Sequence, residues 1–362
     1  MIGMVSRTID NLFGRGEAAV TVPPLDGALQ PNRLLDEAPE RVALEGVDCL
    51  AIHDGALVAS AGNGLFVLVA DVWQQRKTYP GPIVALSPVG DDGLAVALAD
   101  GEIIIEGGAF DGRRYRLDKG VTCITAITAD GATLFVAKGS ATSHAGAWRR
   151  DLLERNASGS VWRLDLDNGA PTLLADKLAW PAGLAVAREG LVVSEAWRHR
   201  LLRIDPSRPS TPLVLQADLP GYPGRISPAA EGYWLAMFAP RSQLVEFILR
   251  ERAYRTRMMA QVPEPYWVAP SYRSGRSFYE SLQGGGVKQL GMLKPWAPSM
   301  SIGLCVKLDP AFQPRSSLQS RADGKTHGVT STVELKGDLF VAARGDGVVV
   351  SMPLAQLTEC RP

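Results

Sequence analysis

The sequence predicts an all-β protein: a six-bladed β-propeller with a long insertion between blades five and six. Three observations carry that prediction. A short phrase returns six times, in which an apolar run enters a Gly- or Asp-bearing turn and a second apolar run ends in small residues. The copies are Cys49–Ser60, Ile83–Leu98, Ile124–Ala137, Gly183–Glu195, Ile226–Met237 and Val329–Ala342. A lone hairpin cannot bury its apolar face, so the copies must pack on one another, and a radial arrangement closes a propeller. The copies also spread across most of a 362-residue chain, a length that six four-stranded blades use as one domain. Finally, 46% of the residues are hydrophobic, enough for a large core.

Residues 1–45 form an atypical lead-in. Ser6–Phe13 has the pattern of a short helix, and Pro23, Pro24 and Pro31 mark an extended run. A propeller closes by pairing strands from its two ends. The lead-in is therefore expected to add an outer strand to the last blade, which ends near Val348–Met352. The propeller itself takes residues 46–355 and leaves 356–362 as a tail.

Each inner hairpin is followed by outer strands. These are Gly64–Ala70 and Gln75–Tyr79 in blade one, and Glu102–Glu106 and Arg113–Leu117 in blade two. Blade three has Gly159–Asp165 and Pro171–Ala175, and blade four has Arg200–Asp205 and Thr211–Gln216. In blade five Gln243–Leu249 is read as a strand. Asp167-Asn168-Gly169 is a hairpin turn. Insertions fall at 138–155, inside blade three, and at 251–325. The second holds an aromatic stretch, a short helix pattern at Ser277–Leu282 and the Gly284–Gly286 triplet. Long ordered loops on a rigid scaffold commonly carry binding function, so it reads as a lid or a structural cap.

Charge and cysteines narrow the function classes. Lys plus Arg and Asp plus Glu both total 38, which argues against a broad field for nucleic acid or anionic lipid. The cluster of Arg250, Arg252, Arg255 and Arg257 reads as a solvated face. The four cysteines, Cys49, Cys123, Cys305 and Cys360, show no CxxC spacing; Cys49 and Cys123 sit in the strand phrase and read as buried, and free buried thiols fit a reducing, cytoplasmic location. The N-terminal stretch lacks a signal-peptide core, and no apolar run reaches the roughly 18–20 residues of a membrane span. The sequence has no Gly-x-Ser-x-Gly elbow, Walker loop, HExxH or dinucleotide fingerprint. Asp165–Gly169 lacks the downstream glutamate of a calcium loop and reads as a turn.

The runs DLLERNASGSVWRLD, LAWPAGLAV, LVVSEAWRHRLLRI, LPGYPGRI and EGYWLAM, between residues 151 and 237, resemble the strictosidine synthase-like family in order and spacing. LEGVDCLAIHDGALVAS and VTSTVELKGDLFVAA resemble that family's first and last inner hairpins. The family is similar in fold to the gluconolactonase, senescence-marker and paraoxonase group. The resemblance implies a small-molecule pocket around the central channel, near Asp48, Thr125, Trp180–Ala182, Tyr222–Arg225 and His327–Thr330, with His144 and Trp148 approaching from a loop. It also implies how this chain departs. The lactonase relatives hold a divalent cation through a glutamate, two asparagines and an aspartate. Those positions correspond here to Asp48, Thr125, Ala182 and Gly224, and Arg225 follows. No catalytic metal is expected, calcium included, and no cofactor. The synthase glutamate corresponds to Thr330, so synthase activity is not expected.

The expected function is a metal-independent hydrolase acting on an ester or lactone. Arg225 would bind a carboxylate or polarise a carbonyl. His327 and Asp48 form the acid–base pair, since blades one and six are neighbours in a closed ring. Thr125, His144, Trp148, Trp180, Tyr222 and Thr330 would contact the substrate. The alternative is a non-catalytic propeller that binds a small molecule or a protein partner through a degenerate site. Of the other polar residues, His53 is expected at an exposed turn, His199 in a structural turn, and Glu195 in a salt bridge with Arg198 or Arg200.

Overall fold

The computed structural model describes residues 22–117, 122–207, 212–281, 288–289, 292–293 and 299–359. Ser6–Phe13, Gly284–Gly286 and Cys360 lie outside them. Six four-stranded antiparallel sheets make the blades. From the hub outward, blade one is Val47–His53, Ala56–Ala61, Gly64–Val69 and Val72–Thr78. Blade two is Ile83–Val89, Gly93–Leu98, Ile103–Glu106 and Arg114–Tyr115. Blade three is Ile124–Asp130, Thr133–Lys138, Gly159–Asp165 and Pro171–Leu178. Blade four is Pro181–Ala187, Gly190–Glu195, Arg200–Ile204 and Leu213–Gln216. Blade five is Gly221–Pro228, Tyr233–Pro240, Gly303–Leu308 and Pro314–Ser320. Blade six is Val329–Leu335, Asp338–Ala343, Val348–Pro353 and, from the lead-in, Glu40–Ala43.

The innermost strands touch in cyclic order, one to two and onward, with six against one, so the ring is closed. Turn chemistry sets the inner hairpins. In blade one Asp54 and Gly55 both take positive φ, 52° and 67°, the pair that a two-residue hairpin turn of matching twist requires. Both faces of each sheet meet a neighbour, so the hairpin strands are largely buried; all six residues of Gly93–Leu98 are apolar and buried. Six apolar clusters result, one in each gap between blades.

The lead-in closes the ring. Glu40–Ala43 pairs antiparallel with Val348–Ser351. Before that it runs along the edge of blade five. Asn32 Nδ2 donates to the Ser317 carbonyl at 2.9 Å, and the Leu35 amide donates to the Gln319 carbonyl at 3.1 Å. Leu35 is fully buried in the gap between blades five and six. The two chain ends are thus fixed by side-chain burial as well as by one ladder.

The insertions show where sequence reading and structure part. The first carries helix α1 (Trp148–Leu153). The second leaves blade five after its second strand and returns before its third, so it spans 241–302, and residues 303–320 are blade strands. Gln243–Leu249, expected as a strand, lies in helix α2 (Gln243–Arg250), followed by α3 (Arg252–Gln261). Val245 and Ile248 are its buried residues, with Leu244 and Leu249 half-buried beside them, a helical period that an eight-residue window does not separate from a strand. Ser277–Ser281, within the expected short helix, is a turn, because the Glu280 carboxylate accepts the amides of Gly275, Arg276 and Ser277. Of the arginine cluster, Arg250, Arg252 and Arg257 are exposed, whereas Arg255 is buried and donates to the Leu153 carbonyl at the end of α1. Leu153, Ile248, Met258 and Trp267 share one cluster, so the two insertions pack on each other. Among the described residues no helix is long and apolar enough to cross a membrane.

Leu35 tests the double closure. Leu35→Ala is expected to lower the unfolding free energy by about 2–5 kcal/mol in urea titration. Leu213→Ala, at a half-exposed outer-strand site, is expected to change it by less than about 0.5 kcal/mol. Equal effects would mean that the lead-in does not seal the ring.

Candidate functional site

One irregularity repeats at the hub. Each inner hairpin loses register near the start of its first strand: between Val47 and Leu50, Ile83 and Ala85, Ile124 and Ala126, Pro181 and Gly183, Pro223 and Ile226, and Val329 and Ser331. A bulge leaves residues out of the ladder and re-aims them. The bypassed residues include Asp48, Val84, Thr125, Ala182, Gly224, Arg225 and Thr330, and all of these line one cavity of about 390 Å³.

Arg225 spans the hub from blade five. Its Nη2 donates to Asp48 Oδ2 at 2.8 Å and to the Val84 carbonyl at 2.7 Å. Its Nη1 donates to the carbonyls of Thr330 at 3.1 Å and Asp48 at 3.2 Å. One guanidinium thus ties together the inner strands of blades one, two, five and six. Ser194 Oγ holds the neighbouring Gly224 carbonyl at 2.7 Å. Arg344, which follows the second strand of blade six, donates to Asp48 Oδ1 at 3.0 Å. Burial alone would raise the Asp48 carboxyl pKa, but the Arg225 and Arg344 guanidiniums outweigh it and hold the group below the usual carboxylate range. Asp48 is therefore a fixed anion between two cations.

Above this charged floor the walls are aromatic. Trp148 from α1 lies 5.3 Å from Tyr272 and 5.5 Å from Phe238, ring centre to ring centre. Trp180 stacks on Trp197 at 5.1 Å and holds φ of 59°. That backbone region costs a bulky residue on the order of 1–3 kcal/mol, and such strain gathers at ligand sites. Tyr272 reaches the cavity because the second insertion crosses blade six at Gly345, where a Cβ would collide with the Tyr272 carbonyl. Arg344 lies over the Tyr272 ring, 4.7 Å from its centre.

Seven of the nine residues that the sequence singles out, Asp48, Thr125, His144, Trp148, Trp180, Arg225 and Thr330, face this cavity. The Thr125 and Thr330 hydroxyls donate to the carbonyls of Pro181 and Asp48, at 2.5 and 2.7 Å, so they shape the wall. Tyr222 is placed differently. It is fully buried behind the wall, against Trp197, Phe238 and His199, because the register shifts after it turn Gly224 and Arg225, not Tyr222, toward the channel.

His327 does not meet Asp48. It is fully buried, its Nε2 lies 2.7 Å from the Arg321 carbonyl and its Nδ1 lies 2.8 Å from Ser301 Oγ. A carbonyl only accepts, so Nε2 carries the proton and Nδ1 accepts from the serine. Burial first, then the Arg273 guanidinium, push its pKa down to about 4. The imidazole is thus a neutral tie holding the returning insertion to blade six. His53, expected at an exposed turn, is also buried, with Nε2 3.3 Å from Asp54 Oδ2. His199 is a buried tie as expected, 3.2 Å from Glu246 of α2. Glu195 pairs with both Arg198 and Arg200 and also accepts the Ala179 amide.

The sequence reading missed Arg344, Tyr272 and Phe238. A signal for Arg344 was present: the second strand of an antiparallel hairpin ends at the mouth where the first begins, so a charge just past Ala342-Ala343 belongs there. Tyr272 lies in a long insertion and had no such signal.

The cation that the family resemblance implies does not fit these donors. Both Asp48 oxygens are taken by guanidiniums, and Ala182 and Gly224 bring no side-chain oxygen. The Arg225 charge already sits among the bulge carbonyls that a hard cation would use. Among the described residues no three His, Cys, Asp or Glu side chains gather as a metal group.

No family model matches the chain, and no curated protein does. Among solved structures it is similar to a chain of a nidogen/laminin complex, at 16% identity and TM-score 0.42, over 54% of this chain and 73% of that one. It is also similar to the extracellular domain of a candidate hybrid two-component system from B. thetaiotaomicron, at 13% identity and TM-score 0.37, over 52% of this chain and 26% of that one. Likeness at this level does not bear on activity. The class that the architecture defines is a six-bladed β-propeller with a channel-mouth cavity.

Two predictions follow from the hub. Arg225→Ala leaves the buried Asp48 carboxylate with Arg344 alone and removes the donor from the Val84 and Thr330 carbonyls, and is expected to cost about 3–5 kcal/mol by chemical denaturation. Asp48→Ala combined with Arg225→Ala should cost clearly less than the two single losses together, and strict additivity would refute the coupling. His327 gives a pH signature. Its folded pKa of about 4 lies below the ordinary 6.5. Its contribution is therefore complete above pH 6.5, and as pH falls toward 4 the unfolded chain protonates first. A loss on the order of 3 kcal/mol is expected across that window. His327→Gln, which keeps a donor and an acceptor, should flatten the window relative to the parent chain.

Proposed function

We propose that the protein is a small-molecule-binding propeller, a distant strictosidine synthase-like chain whose channel site works without a metal. The observation that carries this reading is the cavity itself: aromatic walls over a charged floor in which Asp48 and Arg225 are already bonded to each other. Its volume of about 390 Å³ lies within the roughly 300–1,000 Å³ of ligand pockets, and an apolar wall with few oriented polar groups is their usual composition. The strained Trp180 backbone supports the same reading. A cytoplasmic setting belongs to the proposal too, supported by the buried free thiols Cys49, Cys123 and Cys305.

A second reading, a metal-independent ester or lactone hydrolase, is favoured by one observation: His144 lines the same cavity at its exposed rim. It needs that imidazole as general base, because the Asp48 oxygens are committed and His327 is buried away from the cavity.

The two readings separate in one set of measurements. Calorimetric titration with a panel of small aromatic and heteroaromatic compounds should give saturable binding. Trp180→Ala and Trp148→Ala should each weaken it at least tenfold, a loss of about 1.4 kcal/mol. Turnover of aryl esters or lactones by the parent chain, abolished in His144→Ala, would replace the binding reading with the hydrolase. Neither binding nor turnover would remove both.

A further inference from the structure

The cations at the cavity floor differ in how many donors they leave. Arg225 commits its four Nη–H groups to Asp48 and to three carbonyls. Among the described residues the Arg344 guanidinium makes one hydrogen bond, from Nη1 to Asp48 Oδ1, and its side chain keeps 42% of its surface open. Asp48, Arg225 and Arg344 are the residues of fixed charge on this wall. Of these fixed charges, one carboxylate faces two guanidiniums, which leaves a single positive charge. That charge sits on the guanidinium with unused donors. Its planar fork suits the two oxygens of an acid group. Tyr272 lies against its other face and fixes its orientation.

Resting on the binding reading above, we infer that the ligand is an organic anion. Its acid group is taken by the free donors of Arg344, and its apolar or aromatic body lies against Trp148, Trp180, Phe238 and Tyr272. The Asp48–Arg225 pair then has a positioning role: it holds Arg344 toward the cavity and neutralises one of the two cations, so a monoanion balances the site. Carboxylates and phosphate monoesters both present a pair of anionic oxygens to that fork; the carboxylate carries the one charge that balances the site, and the phosphate monoester carries up to one more.

The test uses the full chain and matched probes: phenylacetate and indole-3-acetate, their primary amides, and phenyl phosphate, each titrated by calorimetry at two salt concentrations. The acids or the phosphate should bind at least tenfold more tightly than the amides. Arg344→Gln should raise Kd for the acid about 10- to 100-fold, the scale of hydrogen bonds to a charged group, and leave the amide nearly unchanged. Arg344→Lys should recover part of the discrimination, and thermal melting of each variant reports whether the ring is intact. Preference for phenyl phosphate over phenylacetate would place a phosphate ester in the site; the reverse would place a carboxylate. Acid and amide binding equally, or discrimination that survives in a folded Arg344→Gln chain, overturns the inference and leaves the binding reading standing. Binding by none of the probes removes both.

Discussion

The hub ion pair of Arg225 and Asp48 is the constraint on which the channel depends. Six inner strands converge there, and each bulge turns backbone groups away from its ladder. A buried carbonyl without a donor costs as much as a lost hydrogen bond, and a buried carboxylate without a partner costs more. One guanidinium meets both demands, since it carries the charge and enough donors to reach strands of four blades. It also occupies the ring of oxygens that a hard cation would need, so the same residue that stabilises the hub argues against a metal there.

The bulges explain why the cavity wall looks irregular while the repeat is regular. In a continuous ladder, alternation would send successive side chains into the two neighbouring blade interfaces by turns. Stepping out of register at one place lets Asp48, Thr125, Arg225 and Thr330 face the channel together while Leu50, Ala126, Ile226 and Ser331 resume the packed pattern. Tyr222, one step before its bulge, stays in the interior. The difference between a wall residue and a core residue is therefore one position in register.

Closing the cavity takes elements far apart in the chain. Helix α1 supplies Trp148, blade five supplies Phe238, and the second insertion supplies Tyr272. Asp151 anchors α1 by accepting Trp197 Nε1 at 2.9 Å and Asn156 Nδ2 at 2.7 Å. His199 and Arg241 hold α2 through Glu246, and His327 holds the return of the same insertion through Ser301. His199 and His327 are thus ties between the second insertion and the ring.

The blade count and the six inner hairpins were legible in the sequence. Periodic burial and turn residues are local signals, and a repeat multiplies them. It also placed most of the channel residues, because position within a repeat predicts position along the channel radius. Only the tertiary structure decided that Gln243–Arg250 is a helix, that blade five resumes at Gly303, and that His327 and Tyr222 turn away from the cavity while Arg344 and Tyr272 reach it. Those outcomes depend on register shifts and on which distant segment packs over a glycine notch. They are set by contacts between residues far apart in the chain, to which short-range patterns are blind.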